Sequence, residues 1–270
     1  MFRRHLVPGA TVLAAALLLT ACSSGGSSAD AAGGSSSAGG SSSAADVTGT
    51  ITVFAAASLT GSFTTLGQQF EAANPGTTIT FNFGASSTLA TQITQGAPAD
   101  VFASASPTNM QTVVDAGEAH DPTDFVSNSG EIAVAKGNPG GITSLADLAG
   151  SGVTVAVCQP QVPCGKLATT IFTNAGITVN PVTQEADVKS TLAKVTTGAV
   201  DAGIVYVTDV KAAGDGVEGI EIPADQNATT KYPIASLTAS ANSGLAQAFV
   251  DYVLSDDGTK VLTDAGFAAP

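Results

Sequence analysis

From Ile51 onward the chain alternates between short apolar runs of strand character and stretches whose apolar residues recur every three or four positions. Ile51–Phe54 reads as a buried strand, after which Leu59, Phe63, Leu66 and Phe70 line one face of a helix. Ile79, Phe81 and Phe83 alternate as a second strand, with Leu89 and Ile93 opening the next helical face. "ADVFAS", residues 99–104, predicts a third strand, followed by a helix through Met110, Val113 and Val114. Repeated alternation of this kind confines the fold class to α/β, with parallel strand pairing expected.

Near Asn128 the pattern restarts. "EIAVAKGNPGG" predicts a strand and a turn, "SLADLAG" a short helix and "GVTVAVC" a strand. Helices are expected over Lys166–Asn174 and Val188–Thr197, and a strand over Ala202–Val207. After "IEIP" and "KYPIASL", two helices around Leu245–Leu254 and Thr259–Asp264 end the chain and pack most simply on the first half. The expectation is two lobes, residues 47–128 with 234–270 and residues 129–233, joined by crossings near Asn128 and near Tyr232. No internal repeat is present.

The first residues lie apart from this pattern. Arg3 and Arg4 form a basic start, Leu13–Leu19 an apolar run too short to span and stay, and "LTAC" places Cys22 after small residues. Residues 1–21 therefore read as a bacterial lipoprotein signal peptide, with Cys22 left to carry the lipid; a plain secretory signal is the alternative. One lipidated residue anchors a chain to a membrane without crossing it. Residues 22–46 hold the lipidated cysteine and a Ser/Gly/Ala tether, Ser23–Ala45, which spans roughly 26 Å on average as a flexible coil.

Charge and composition exclude several classes. Removal of Arg3 and Arg4 leaves seven basic residues, all lysine, against 22 acids, a formal charge of −15. Such a surface argues against nucleic acid and against electrostatic membrane binding. Beyond the signal only His120 remains, in "GEAHDPTDF", which reads as a surface turn, and Ser58 lacks a G-x-S-x-G setting. A hydrolase using Ser58 therefore has no placed base, and no enzyme activity is expected; a structural surface protein is a third class. Cys158 and Cys164 have no nearby histidine or second cysteine pair, so no metal-ligand cluster and no cofactor are expected. With no arginine after the signal, any anion must be held by neutral dipoles.

Two serines stand where an anion site is usually built. Ser58 follows the strand Ile51–Phe54 and Ser86 the strand Ile79–Phe83, each at the start of a helix. Such a serine can cap the helix with its own oxygen, or turn outward and join the helix N-terminus in gripping an anion. Ligands in open α/β sheets lie at the carboxyl edge of the strands. The alanines Ala55–Ala57 suit a close approach to the backbone, since bulk there would hold a ligand off.

"ITVFAAASLT", "FGASSTLATQI", "GAPADVFASAS", "VPCG", "EADVKSTL" and "GIVYVTD" occur in that order and together closely resemble the molybdate-binding proteins of ABC transporters, from about Ile51 to Phe267. The resemblance implies a two-lobed periplasmic-binding-protein fold of type II, with the ligand cleft between lobes. It implies an extracytoplasmic binding protein, not an enzyme, that closes over molybdate, with tungstate as a second ligand and an ABC-transporter permease as receiver. A monomer anchored to the cell membrane through Cys22 is expected; the alternative ligand is another tetrahedral oxyanion such as sulfate.

Carried over position by position, the family's ligand contacts fall on Ser58 and Ser86 through hydroxyl and main-chain N–H, on Cys164 and Val188 through main-chain N–H, and on the Tyr206 hydroxyl. Taken alone, Val188 also reads as core and Tyr206 as half-buried packing. "VCQPQVPCG" departs from the family's commoner pattern, which has alanine where Cys164 stands. Two cysteines separated by five residues in an exported domain suggest a Cys158–Cys164 disulfide, with a pair of buried thiols as the alternative.

Overall fold

The computed structural model describes residues 47–270. The expected signal peptide, the lipidated Cys22 and the tether lie outside the described residues. The first strand, β1 (Gly49–Ala56), runs into a short 3-10 turn (Ala57–Leu59) and then α1 (Thr60–Ala73). Leu59, Phe63, Leu66 and Phe70 are all buried, as their spacing requires, and each such side chain contributes about 1.5–3 kcal/mol of burial. β2 (Thr77–Gly84), α2 (Ser86–Thr94), β3 (Val101–Ala103) and α3 (Pro107–Asp115) complete the first half.

β4 (Thr123–Ala135) follows, a single strand of 13 residues. The second half contains β5 (Val155–Cys158), α4 (Pro163–Asn174), β6 (Thr183–Glu185), α5 (Val188–Thr196), β7 (Ala202–Tyr206), α6 (Val207–Ala213) and β8 (Val217–Ile220). β9 (Thr229–Ser236) returns the chain, and α7 (Ser243–Leu254) and α8 (Asp256–Asp264) end it.

The sheet order is β2-β1-β3-β9-β4-β7-β5-β6, with β8 paired to β4. Within each half the pairing is parallel, β1 with β2 and β3, β5 with β6 and β7. At the junction it is not. β3 pairs antiparallel with β9, and β4 antiparallel with β9, β7 and β8. The sequence expectation of parallel pairing therefore holds only where a helix carries the chain from one strand to the next; β4 and β9 are the strands that cross between halves, in opposite directions. They lie side by side from Thr123 opposite Ile234 to Ser129 opposite Thr229.

The apolar interior is divided accordingly. Ile132–Val134, Val155–Cys158, Leu167, Ile171, Leu192, Val195 and Ile204 form one core. Ile51, Val53, Phe63, Phe70, Phe125, Tyr232, Phe249 and Leu262 form another, so the two C-terminal helices pack with the first half. A smaller cluster around Leu89, Phe102 and Met110 covers the opposite face of that first sheet. β4 contributes Phe125 and Val126 to one core and Ile132–Val134 to the other. This is a two-lobed α/β architecture with paired crossings.

Candidate functional site

Each candidate residue sits where a strand hands over to a helix. Ser58 lies in the turn between β1 and α1, and Ser86 is the first residue of α2. Cys164 is the second residue of α4, behind Pro163, whose fixed backbone suits the first helical position. Val188 opens α5, and Tyr206 ends β7 and precedes α6. All five are buried. All five line one small cavity, together with Ala56, Ala57, Gly84, Ala85, Ala105, Pro163 and Asp187.

The cavity measures about 20 Å³, on a scale where a single water needs roughly 10–15 Å³. That is a confined space, little more than one water needs. Small side chains account for its approach to the backbone, but Ala55 is not among them: it points into the first-half core, so only Ala56 and Ala57 of the alanine run face the cavity. Ala85 and Ala105 do the same from the following segments.

Neither serine caps its helix. The Ser58 Oγ lies 2.9 Å from the Tyr232 hydroxyl, and the Ser86 Oγ accepts the Ala105 N–H at 2.9 Å. Tyr206 is the unusual member. Its hydroxyl is buried without a hydrogen-bond partner among the described residues, a state that native proteins seldom leave unexplained. Burial pushes its pKa well up, so the phenol stays a donor.

No lysine lines the cavity; the charged residue that does is Asp187. Its carboxylate caps α5, accepting the Ser190 N–H at 2.8 Å. Behind the site, Lys189 and the fully buried Asp209 form an ion pair at 2.9 Å, and Asp209 also accepts the Tyr206 N–H at 3.1 Å. Burial raises the Asp209 pKa and the Lys189 charge opposes that rise. Helix N-termini favour negative charge, and here the starts of several helices face one space.

Cys158, at the end of β5, is bonded to Cys164 with 5.7 Å between their Cα atoms. The intervening turn also has Val162 buried and its N–H bonded to the Gln159 carbonyl at 3.1 Å. Gly165 follows necessarily: a Cβ there would run into the Gln159 carbonyl oxygen. His120 is exposed, next to Asp121, whose φ is 48°. Among the described residues no group of three His, Cys, Asp or Glu side chains could hold a metal ion, and no helix is long and apolar enough to cross a membrane.

Residues beyond the five candidates also belong to this region. Asp187 lies within "EADVKSTL", where its residue type alone reads as a helix cap. Tyr232, Asn128 and Thr208 reach the site only through the fold, with no local pattern to mark them.

Known proteins share this sequence and fold. A molybdate-binding protein ModA of Mycobacterium tuberculosis is 46% identical over 82% of this chain and 85% of its own length. Among solved structures, the periplasmic molybdate-binding protein of Azotobacter vinelandii superposes with a TM-score of 0.73 at 22% identity, over 82% of this chain and 99% of that one. The sulfate-binding protein SubI of M. tuberculosis gives 0.74 at 20% identity, over 82% and 86%; at these identities the two structures show the fold. Residues 51–268 match the family described as bacterial extracellular solute-binding protein, and the chain belongs to that family.

Proposed function

We propose that this protein is the extracytoplasmic binding component of an ABC transporter, taking molybdate, and tungstate as well, in the cavity and delivering it to the permease. Residues 47–128 with 234–270 form one lobe and residues 129–233 the other. Ser58 and Ser86 donate from the first lobe. Cys164 and Val188, through their N–H groups, and the Tyr206 hydroxyl donate from the second. The observation that carries this reading is the Tyr206 hydroxyl: a buried donor with no partner among the described residues, in the wall of a small cavity lined by helix starts.

A fixed dianion needs no cationic partner when donors fill its lone pairs and helix dipoles face it. The absence of lysine from the cavity wall fits such a ligand, and it favours release to the permease. No cofactor takes part. Cleavage after residue 21 leaves Cys22 to carry the lipid, and the tether of residues 22–46 lets a monomeric receptor range over the membrane surface at high local concentration.

Titration calorimetry with molybdate, tungstate and sulfate tests this. A preformed donor cage cannot contract onto the smaller sulfate without losing hydrogen bonds, each charge-assisted one being worth about 1.5–3 kcal/mol. Molybdate and tungstate are expected to bind with similar affinity and sulfate at least about a hundredfold more weakly, which is about 2.7 kcal/mol. Sulfate within tenfold of molybdate would overturn the assignment.

A further inference from the structure

We propose that Tyr232 is a positioning residue that fixes the Ser58 hydroxyl as a hydrogen-bond donor to the bound oxyanion, an inference that rests on reading the cavity as an oxyanion site. Tyr232 lies on β9, fully buried, and its hydroxyl must find an acceptor to avoid the penalty of an unmade bond. Two side-chain atoms lie within hydrogen-bond distance, the Ser58 Oγ at 2.9 Å and the Asn128 Nδ2 at 3.5 Å; the Tyr206 ring packs edge-on at 6.2 Å, and its hydroxyl makes no hydrogen bond among the described residues. The Asn128 Nδ2 cannot accept. Asn128 receives the Ser129 N–H on its Oδ1 at 3.1 Å and donates from Nδ2 to the Thr208 Oγ1 at 2.8 Å, so its NH₂ side faces Tyr232.

The direction of the whole relay follows. The amide donates to the Tyr232 oxygen, Tyr232 donates to the Ser58 oxygen, and the one hydrogen of Ser58 is left for the cavity. Burial raises the Tyr232 pKa, which keeps its hydrogen in place. Ser86 reaches the same state by a backbone route, its oxygen being occupied by the Ala105 N–H. Both serines are thereby set as donors before a ligand arrives, which suits an anion offering lone pairs alone. The relay also links the lobes: Thr208 belongs to α6, Asn128 to the crossing strand β4, Tyr232 to β9 and Ser58 to the end of β1.

Without the Tyr232 hydroxyl, the Ser58 hydrogen can rotate among several orientations, and the donor loses the polarisation of the chain behind it. Removing a preset orientation weakens binding through the ordering it then requires. The test is a double-mutant cycle read by calorimetric titration with sodium molybdate on the parent, Tyr232→Phe, Ser58→Ala and the double variant. Tyr232→Phe is expected to weaken binding by about three- to thirtyfold. In the Ser58→Ala background the same change should add less than about twofold, because its effect passes through Ser58.

An effect just as large in the Ser58→Ala background would overturn the proposal, since Tyr232 would then act through the fold alone. So would a Tyr232→Phe variant within twofold of the parent. Should a variant fail to fold, neutron diffraction from the deuterated parent decides the matter. A deuteron on the Tyr232 oxygen pointing at Ser58 supports the relay, and one on Ser58 pointing at Tyr232 refutes it. If the parent binds no molybdate, the functional reading falls, while the deuteron position still decides the relay.

Discussion

At Tyr206 the fold keeps a hydroxyl buried without a partner among the described residues, which costs about 1–3 kcal/mol until something accepts its hydrogen. A ligand that accepts it recovers that energy, so the residue contributes more to binding than to folding. Tyr206→Phe removes one donor and little shape. It should weaken molybdate binding by about 1.5–3 kcal/mol, while the melting temperature without ligand stays level or rises; calorimetry and thermal melts on the same preparation separate the two. Binding as tight as the parent's would show that Tyr206 is not a ligand donor. Ser58 and Ser86 were legible as candidates in the sequence because each ends a recognisable strand and opens a recognisable helix. Cys164 and Val188 are marked only by family resemblance, since backbone N–H groups leave no mark on residue type, and so is Tyr206, because a tyrosine at a strand end reads equally as packing. Tyr232 and Asn128 are legible as the places where the chain crosses between lobes but not as site residues: both lie in strands, and only the antiparallel pairing of β4 with β9 brings them together behind Ser58.

Most helices and strands matched their periodicity, and the exceptions share a cause. β6 (TQE) and β8 (VEGI) are short and carry little apolar surface, so nothing in their pattern competes with a loop reading. α6 starts directly after Tyr206 with no intervening breaker, and its seven residues are too few to establish a helical period. The pattern restarts near Asn128 because the inward residues of β4 change from one core to the other along a continuous strand. The link from β5 to α4 is the element whose behaviour depends most on covalent chemistry. The disulfide ties the end of β5 to the start of α4 and confines Gln159–Pro163, with Val162 as its buried anchor. In the chain-entropy account a loop this short gains about 2–3 kcal/mol of stability from cross-linking. Cys158→Ser/Cys164→Ser should therefore melt lower and still bind molybdate, because the N–H of residue 164 survives. Its affinity should fall by roughly three- to thirtyfold, about 0.7–2 kcal/mol, mainly through faster release in stopped-flow measurements. Unchanged affinity would leave the disulfide a purely structural element.

At the scale of the whole molecule, two apolar cores flank a cavity whose wall draws residues from both halves of the chain. The first-half core holds β1, α1, α7 and α8, the second-half core holds β5, α4, α5 and β7, and β4 and β9 pass between them. Paired antiparallel strands resist shear but bend more readily than two packed cores deform, so closing motion is expected at these crossings. A ligand held from both sides then stabilises the closed arrangement and, through it, the fold. At a thousandfold over its dissociation constant it adds about 4 kcal/mol. For a domain of this size each kcal/mol raises the melting temperature by roughly 2–4 °C, so molybdate should shift the transition upward by about 8–16 °C. The shift should be smaller at the same ligand concentration in Tyr206→Phe, where one bond from the second lobe is missing. Differential scanning calorimetry should show a single transition moving as a unit with molybdate. If the ligand instead raised only one of two separable transitions, its donors would all come from one lobe, and the two-sided site would be wrong.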